Sequence, residues 1–567
     1  MNNMFGLEHA RFEKKLLAAL CLFIFFNAVK LTLFNYSIMS EKSLETFAYK
    51  LIFTLLINLV FFSFFFRAKS KWPFLVFYAG QTGYIFANLS YYSYFGNYLH
   101  LFQASALLTE GVGPIKHFTI PVNIKMLPIL IDVPLFLKLF FNYDRLAGLL
   151  ELLRKTNKRQ VFAAAILPVV LLLGIEGLNV YKGCSLFQLN RNFFASEPKI
   201  IERYGTFANN ISDLTVNYGG ESLINHFQYG RAVYAFAAAE EKPNIVAIQV
   251  EAMDANIINQ KYNGSYVMPY LSSLSQNDIY YKYNLSYHKS GGTSDSEFSI
   301  LNSVEPLSTY PSIKIPKYTY PNSFVKRLKA QNYYAMAFHG NIGNYYNRDV
   351  AFPKMGFDQF YDIKKMGFAE AGWGAPDKEV FDFAFDKMKE QASPFFSYII
   401  TMSSHMPFNF TKDYYANSSY DGIADETVKN YFTSMSYVDQ SIEGFVKKIK
   451  SEFPNTYILI WGDHTPGITS EYYRQASYTE GSNYFEFVPV IIVTPDNRKY
   501  EEADRAGSFL DIAPTVLNAA GIDFKIETNG VNLLEPPVSM PQIPFKENSY
   551  DRAELYRKIS EVSQTGN

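Results

Sequence analysis

The stretch with the clearest chemical potential runs from Ser290 to Phe298 and reads Ser-Gly-Gly-Thr-Ser-Asp-Ser-Glu-Phe. Its two glycines allow a tight backbone turn and the close approach of other groups. Thr293 follows them at the start of a predicted helix, where N–H groups and the helix dipole favour an anion. A hydroxyl held there is a candidate nucleophile for a phosphoryl group. Taken alone, these nine residues favour a plainer interpretation, in which Thr293 or Ser294 caps the helix.

From residue 243 onward, predicted strands alternate with predicted helices. The strands are continuous apolar runs rich in β-branched residues, which is typical of strands buried on both faces of a sheet. Helical stretches such as 380–390 and 426–450 separate them. This alternation predicts an α/β fold with a mainly parallel sheet. The predicted strands are 244–250, 333–338, 395–402, 456–461 and 488–493.

Acidic or imidazole side chains come just after four of these strands. Glu251 follows the first strand and His339 the second, His405 lies beyond the third, and Asp463 with His464 lies beyond the fourth. Functional groups in such folds gather beyond the carboxyl ends of the strands. We therefore expect these side chains to share one site.

Part of this set is suited to a divalent cation. Glu251, Asp463 and His464, together with the Thr293 hydroxyl, offer three oxygens and one nitrogen. Oxygen-rich sets suit Mg²⁺ or Mn²⁺, and the imidazole also admits Zn²⁺. A cation at this position favours the alkoxide of a threonine that is otherwise a poor nucleophile at neutral pH.

The remaining candidates are suited to the phosphate itself. His339, Arg348 and His405 offer donors for phosphate oxygens, and the arginine does so through a planar fork. Either histidine also has the chemistry to protonate a leaving group.

Residues 1–182 have the composition of a membrane domain. Five apolar runs approach the roughly 17–25 residues that a spanning helix needs. Asp132 and Lys138 interrupt the fourth run, and we interpret them as facing a neighbouring helix in a structural pair rather than as functional charges. The runs are 16–36, 51–66, 72–91, 126–143 and 161–180.

Basic residues lie in alternate loops between these runs, and this asymmetry predicts the topology. They precede the first run, follow the second and follow the fourth. The protein is therefore predicted to be a multi-pass protein of the cell membrane, with a cytoplasmic N-terminus and an extracellular region after the fifth run. The residues are Arg11, Lys14, Lys15, Arg67, Lys69, Lys71, Arg145, Arg154, Lys155, Lys158 and Arg159.

Shifts in composition divide the chain into four predicted parts. Residues 1–182 form the membrane domain, 183–242 a helical connector near the membrane, 243–535 the α/β domain and 536–567 a C-terminal tail. The net charge of -1 and the lack of a basic stripe argue against a nucleic-acid partner.

Taken in order, these motifs resemble those of the lipoteichoic acid synthases, membrane glycerophosphotransferases within the alkaline phosphatase and sulfatase superfamily. The resemblance covers the five-run architecture and nearly all of the chain beyond Pro243. The matching segments are 243–251, 292–298, 338–341, 347–349, 404–408 and 461–464, and segment 511–515 resembles the sulfatases in general.

The resemblance implies a fold and a reaction. The fold is a sulfatase-like α/β extracellular domain with a small C-terminal subdomain, after five transmembrane helices. The reaction moves glycerol phosphate from phosphatidylglycerol, by way of a threonine, to a polyglycerolphosphate (lipoteichoic acid) chain or its glycolipid primer, and releases diacylglycerol. By this match, Glu251, Thr293, Asp463 and His464 hold Mn²⁺.

The same match places His339, Arg348 and His405 in the substrate pocket. It adds Tyr346, two residues before the arginine, where well-known members have tryptophan. Tyrosine keeps a flat wall and adds a hydroxyl, so the identity of the transferred polar group is less defined than the reaction class.

Other functions compete with this interpretation. A sulfatase needs a cysteine or serine in a setting for conversion to formylglycine, which 293–297 lacks. Phosphoethanolamine transferases share the five-span layout and the threonine, but their extracellular domains usually carry disulfides. Cys21 and Cys184, the only cysteines, precede the α/β domain. A two-metal phosphatase needs a second ligand set, which the sequence does not reveal. A non-catalytic pseudoenzyme that binds teichoic acid or lipid would not need every proposed metal ligand, and all are present.

Overall fold

A computed structural model describes the chain between residues 2 and 564. The residues outside the description are 1, 39–42, 66–69, 96–128, 157, 191–192, 216–223, 225–226, 231, 235–240, 309, 316, 370, 372, 393, 482, 500–504, 523–525, 535–540, 547 and 565–567. The chain forms two compact units, Met1–Val216 and Asn217–Asn567. The predicted boundaries at 182, 242 and 535 stay predictions, and the stretches 235–240 and 535–540 near the last two lie outside the description.

The first unit is built from helices. Two stretches in its described part are long and apolar enough to cross a membrane, Phe12–Ser37 and Leu44–Phe62. Its helices are α1 (Asn2–Ile38), α2 (Leu44–Phe65), α3 (Trp72–Phe95), α4 (Val133–Phe141), α5 (Tyr143–Thr156), α6 (Lys158–Tyr181), α7 (Leu186–Asn190), α8 (Phe193–Tyr204) and α9 (Thr206–Thr215).

The predicted count of five spans is not confirmed. α3 and α6 cover the third and fifth apolar runs, but glycine, polar and tyrosine residues make α3 less apolar than α2. The fourth run is represented by α4, which has only nine residues, and residues 126–128 lie outside the description. The number of spans and the orientation therefore remain proposals.

Asp132, at the start of α4, is the centre of a buried polar network. It forms an ion pair of 2.9 Å with Lys30 of α1, and both side chains are at most 1% exposed. The Tyr78 hydroxyl donates to Asp132 at 2.6 Å and the Asn27 amide at 2.7 Å. Asn58 of α2 donates to Asn27 at 3.0 Å. Asp132 thus faces a neighbouring helix, as the sequence predicts, and its partner there is Lys30. The prediction does not hold for Lys138, whose side chain is exposed.

The second unit contains a nine-stranded sheet. From one edge to the other the strand order is β12-β5-β11-β9-β2-β8-β6-β7, and β10 pairs with β11. The strands of the unit are β1 (Ala232–Tyr234), β2 (Asn244–Val250), β3 (Lys261–Tyr262), β4 (Ser265–Tyr266), β5 (Ile279–Ser286), β6 (Tyr334–His339), β7 (Gln359–Tyr361), β8 (Phe395–Ile400), β9 (Thr456–Gly462), β10 (Ser477–Glu480), β11 (Asn483–Val493), β12 (Gly507–Ser508), β13 (Ile526–Thr528), β14 (Ile543–Phe545) and β15 (Asn548–Tyr550).

One strand of this sheet runs against all the others. β9, β2, β8, β6 and β7 pair in parallel, whereas β11 is antiparallel to both β9 and β5. The prediction of a mainly parallel α/β sheet is therefore confirmed. The parallel strands place their carboxyl ends at one end of the sheet; they are β2, β5, β6, β8 and β9. The reversed strand β11 brings its first residues, including Glu486 opposite Ser286, to that same end.

The strands β6, β8, β2 and β9 are buried along almost their whole length, as expected for strands that are covered on both faces of a sheet. The longest helix is α16, where the Asp425 carboxylate accepts from the N–H groups of Thr427 and Val428 and so caps the first turn. The helices of the unit are α10 (Pro269–Asn277), α11 (Thr293–Asn302), α12 (Phe324–Ala330), α13 (Arg348–Met355), α14 (Ile363–Met366), α15 (Asp377–Lys389), α16 (Glu426–Glu452), α17 (Ile512–Ala519) and α18 (Arg552–Gln564).

Candidate active site

The predicted nucleophile sits on a β-turn that leads directly into α11. Gly292 has φ 54° and ψ -131°, which is the first central position of a type II′ turn, where glycine is preferred. The turn is closed by a hydrogen bond of 3.1 Å from the Ser294 N–H to the Gly291 carbonyl. Thr293 becomes the first residue of the helix, and its neighbour Gly292 is the cap residue.

The simple capping interpretation of this stretch is wrong. No side chain caps α11, because the Thr293 hydroxyl donates to Glu251 at 3.2 Å and the Ser294 hydroxyl donates to the Gly291 carbonyl. The loop is held instead by Asp295, whose buried carboxylate accepts from the Lys289 and Gly291 N–H groups at 2.8 Å each.

The four predicted metal ligands converge at the carboxyl ends of β2 and β9. One ligand atom each of Glu251, Asp463 and His464 lies within 4.8 Å of the other two. His464 Nε2 is 3.3 Å from Glu251 Oε1 and 3.6 Å from Asp463 Oδ2. The Thr293 hydroxyl joins the group through Glu251.

The tautomer of His464 also suits a metal ligand. Its Nδ1 lies 2.8 Å from the Thr465 carbonyl, and a carbonyl can only accept, so Nδ1 carries the proton. Nε2 is thereby the nitrogen turned toward the two carboxylates. Metal-ligating histidines usually donate their other N–H in this way, which fixes the ring orientation.

The charges of the site fit a divalent cation. Glu251 and Asp463 are 3% and 1% exposed. Burial, followed by the negative charge of Glu251, raises the pKa of Asp463 well above its ordinary value. Among the described residues, the buried Asp463 Oδ2 has no hydrogen-bond partner, while its Oδ1 accepts from the Ala252 and His464 N–H groups. Two adjacent buried carboxylates with an unsatisfied oxygen are the arrangement that a divalent cation would neutralise.

The predicted substrate residues lie in the same unit, in different environments. His339 Nδ1 is 3.2 Å from the Ile400 carbonyl, and burial, followed by the charge of Arg348, lowers the pKa of His339 to about 3. His339 is therefore neutral, with its lone pair on Nε2. His405 donates from Nδ1 to its neighbour's carbonyl, and the Trp373 ring packs over it at 4.7 Å.

Arg348 is engaged by a partner that the sequence does not reveal. Its guanidinium forms a fork with Glu297 on α11, with Nε at 3.1 and 2.9 Å from the two carboxylate oxygens. Arg348 is 1% exposed. Its Cζ is 5.4 Å from the centre of the Tyr346 ring, so the pair links the nucleophile helix to the predicted aromatic wall. Whether Arg348 contacts phosphate remains a prediction.

Comparison with known proteins identifies the second unit. Residues 243–522 match the sulfatase family. The lipoteichoic acid synthase of Staphylococcus saprophyticus is 30% identical over 317 residues, which is 51% of this chain and 47% of that protein. Lipoteichoic acid synthase-like YvgJ of Bacillus subtilis is 28% identical over 298 residues, or 50% of this chain and 48% of that protein. These matches show that the chain is similar to the sulfatases and to the lipoteichoic acid synthases.

The resemblance to lipoteichoic acid synthases and the sulfatase-like fold are thus confirmed. The chain spans about half the length of the family relatives it matches. A solved structure extends the likeness of fold: phosphoethanolamine transferase A from Neisseria meningitidis, an integral membrane protein, superposes with a TM-score of 0.51. The match covers 88% of this chain and 95% of that protein at 12% identity.

Two polar residues of the site are not predicted by the sequence. His288, in the loop before Thr293, packs its ring on His464 at 4.3 Å between centroids. Its Nδ1 is 2.9 Å from the carboxylate of Glu486 on the reversed strand β11. His288 is only five residues before Thr293, which is a usable signal, but nothing in the sequence links it to Glu486.

Proposed function

We propose that the chain is a membrane-bound, metal-dependent glycerophosphotransferase. It moves glycerol phosphate from phosphatidylglycerol to a polyglycerolphosphate chain or its glycolipid primer and releases diacylglycerol. The observation that carries this proposal is the Thr293 hydroxyl on its type II′ turn, hydrogen-bonded to Glu251 and beside Asp463 and His464. The match to the sulfatase family and the similarity to lipoteichoic acid synthases support the reaction class.

The reaction proceeds in two displacements at Thr293. In the first, the Thr293 oxygen bonds to phosphorus, the bond from phosphorus to the diacylglycerol oxygen breaks, and that oxygen ends with a proton. In the second, a hydroxyl of the acceptor bonds to the same phosphorus and Thr293 recovers its hydroxyl. The phosphodiester broken in the lipid is therefore replaced by one on Thr293 and then by one on the acceptor, and no water is consumed.

A divalent cation held by Glu251, Thr293, Asp463 and His464, for which we propose Mn²⁺, would stabilise the threonine alkoxide and charge on the phosphate. Mg²⁺ and Zn²⁺ are the chemical alternatives for this donor set.

The neighbouring side chains orient the substrate. In this proposal His405 contacts the phosphate and Tyr346 forms the wall of the pocket. Neutral His339, with Nδ1 committed to a carbonyl, accepts a hydrogen bond through Nε2, which suits a glycerol hydroxyl better than a phosphate oxygen.

We also propose that the helical unit anchors the enzyme in the cell membrane, with the N-terminus in the cytoplasm and the catalytic unit outside. The two apolar stretches of α1 and α2 and the alternate basic loops support this topology. A membrane anchor keeps the site beside a lipid donor and raises its effective concentration. A reporter that works only outside the cell should be active when it is fused at Asn567, and a reporter that works only in the cytoplasm should be inactive there.

The reaction is tested with the purified full-length chain, headgroup-labelled phosphatidylglycerol and Mn²⁺. We expect release of diacylglycerol and a mass increase of one glycerol phosphate on the peptide that contains Thr293. Thr293→Ala should fold and give neither product, whereas Thr293→Ser keeps a hydroxyl and should retain part of the activity. Full diacylglycerol release by Thr293→Ala would refute the covalent route.

The same assay separates the alternatives. A phosphoethanolamine adduct from phosphatidylethanolamine, with none from phosphatidylglycerol, would favour a phosphoethanolamine transferase. Binding of either lipid without turnover would favour a non-catalytic lipid-binding protein.

A further inference from the structure

His288 lies where the metal ligands meet the nucleophile turn. Its ring is stacked on His464 with 15° between the planes, so it covers one face of a proposed metal ligand. The loop that carries His288 joins β5 to Thr293, and the last residue of β5, Ser286, pairs with Glu486 on β11. Backbone pairing therefore places Glu486 beside this loop.

Glu486 fixes the position of His288 through its Nδ1 atom. The Glu486 side chain is 8% exposed, and its Oε2 is 2.9 Å from His288 Nδ1. Its other oxygen accepts from the N–H of Thr465 at 3.2 Å and from the hydroxyl of the same residue. A carboxylate can only accept, so Nδ1 of His288 carries a proton. A buried, multiply bonded carboxylate thus fixes the rotation of the imidazole.

The other nitrogen of His288, Nε2, lies close to the turn that carries Thr293. A Cβ placed on Gly292 would lie 3.7 Å from His288 Nε2 and 3.1 Å from the Tyr346 hydroxyl. Within the part of the chain that the structure describes, Nε2 has no hydrogen-bond partner, and the His288 side chain is 27% exposed. Nε2 and the Tyr346 hydroxyl therefore border the space beside Gly292, the residue before Thr293.

A second metal site is a poorer explanation for this cluster. One ligand atom each of His288, His464 and Glu486 lies within 4.8 Å of the others. However, His464 Nε2 already faces Glu251 and Asp463, and His464 Nδ1 donates to Thr465. Both nitrogens of the shared histidine are therefore committed. A carboxylate–histidine pair with one outward nitrogen is better suited to a ligand in the pocket.

We propose that His288 is a substrate-binding residue whose Nε2 hydrogen-bonds the glycerol phosphate group beside Thr293. This proposal rests on the proposed function and specifies a contact within it. Glu486 acts through His288, as the positioning residue that aims Nε2 at the pocket. The ligand is a phosphate ester of a small polyol. A neutral His288 ring accepts from a glycerol hydroxyl through Nε2, and a ring that carries both protons donates to a phosphate oxygen.

Two variants of His288 test the contact because each keeps one half of the imidazole's hydrogen bonding. His288→Asn retains a donor near the Nδ1 position for Glu486 but has nothing at Nε2. His288→Gln retains a polar group near Nε2 but loses the bond to Glu486. If His288 only supports the position of His464, His288→Asn should lower substrate affinity less than His288→Gln does. If Nε2 binds substrate, His288→Gln should lower it less.

The measurement is calorimetric binding of sn-glycerol 1-phosphate to the Mn²⁺-loaded full chain in detergent, with Mn²⁺ affinity measured separately for each variant. We expect affinity to fall about tenfold in His288→Asn and less in His288→Gln, as for loss of one charge-assisted hydrogen bond. Mn²⁺ affinity should change by less than this in both variants. Binding of inorganic phosphate distinguishes the bound oxygen. Its affinity should fall in parallel in His288→Asn if Nε2 contacts the phosphate, and should be unchanged if Nε2 contacts the glycerol.

Other outcomes would overturn the contact. They are wild-type affinity for both phosphate compounds in His288→Asn, a larger loss in His288→Gln than in His288→Asn, or no binding of sn-glycerol 1-phosphate by the wild type. Diacylglycerol release by the wild type is scored independently. If the predicted ranking holds but phosphatidylglycerol is not turned over, the proposed reaction fails while the contact stands.

Discussion

Replacement of Gly292 by alanine tests how strictly the type II′ turn controls Thr293. The glycine has φ 54° and ψ -131°, a conformation that costs a residue with a Cβ about 1–3 kcal/mol. The new methyl would also lie 3.1 Å from the Tyr346 hydroxyl, closer than ordinary van der Waals contact. The free energy of unfolding should therefore fall by about 1–3 kcal/mol.

The effect on turnover should exceed the effect on folding. Strain is relieved by moving the turn, and a shift of about 1 Å in a reacting group can lower a rate about 100-fold. We expect Gly292→Ala to release diacylglycerol from phosphatidylglycerol about 10–100 times more slowly than the wild type. The comparison is made per folded molecule, with the unfolding free energy measured by urea titration.

Gly264 provides a matched control. It has φ 82° at the tip of the hairpin between β3 and β4, and a Cβ there meets nothing within 4 Å. Gly264→Ala should cost stability, about 1–2 kcal/mol for a left-handed residue, without slowing turnover. Equal loss of turnover in both variants, or full turnover by Gly292→Ala, would refute the role assigned to the turn.

Three further predictions concern charge. Asp463→Asn removes an anionic ligand, so bound Mn²⁺ measured by elemental analysis should fall together with activity; full metal occupancy would show that the ligand is misassigned. His339 has its pKa lowered to about 3 by burial, so its contribution to stability is complete above about pH 6.5 and is lost as pH falls toward 3. Urea titrations should show a weaker dependence of unfolding free energy on pH in that range for His339→Asn, and an unchanged slope would contradict the assignment. Lys30→Met leaves Asp132 buried without its cation and should abolish monodisperse protein in detergent chromatography, whereas Lys30→Met with Asp132→Leu should recover it; recovery no better than the single variant would count against the pair.

The catalytic fold could be predicted largely from local pattern. β2 has the predicted bounds, and β6, β8 and β9 differ from prediction by one or two residues. The agreement is close because strands buried on both faces have nearly continuous apolar sequences. Parallel strands then bring the residues after them to one edge. The convergence of Glu251, Asp463 and His464 follows from that rule alone.

Strand direction and long-range pairing could not be predicted in this way. Glu486 lies within a strand, not after one, and reaches the site only because β11 runs in reverse. An apolar run has the same composition in either direction. Likewise, the partnership of Glu297 with Arg348 joins residues 51 positions apart, and no local periodicity specifies such a pair. The predicted phosphate-binding arginine therefore has a structural partner that only the fold reveals.

The buried pair of Lys30 and Asp132 has a consequence for synthesis of the protein. The two residues are 102 positions apart in the chain. At about 5–20 residues per second, the ribosome adds Asp132 about 5–20 seconds after Lys30. In a chain that enters the bilayer as it is made, the ammonium group of α1 spends that interval without this carboxylate. Nascent chains would then be exposed to membrane quality control until α4 arrives, and slow or truncated synthesis would prolong that exposure.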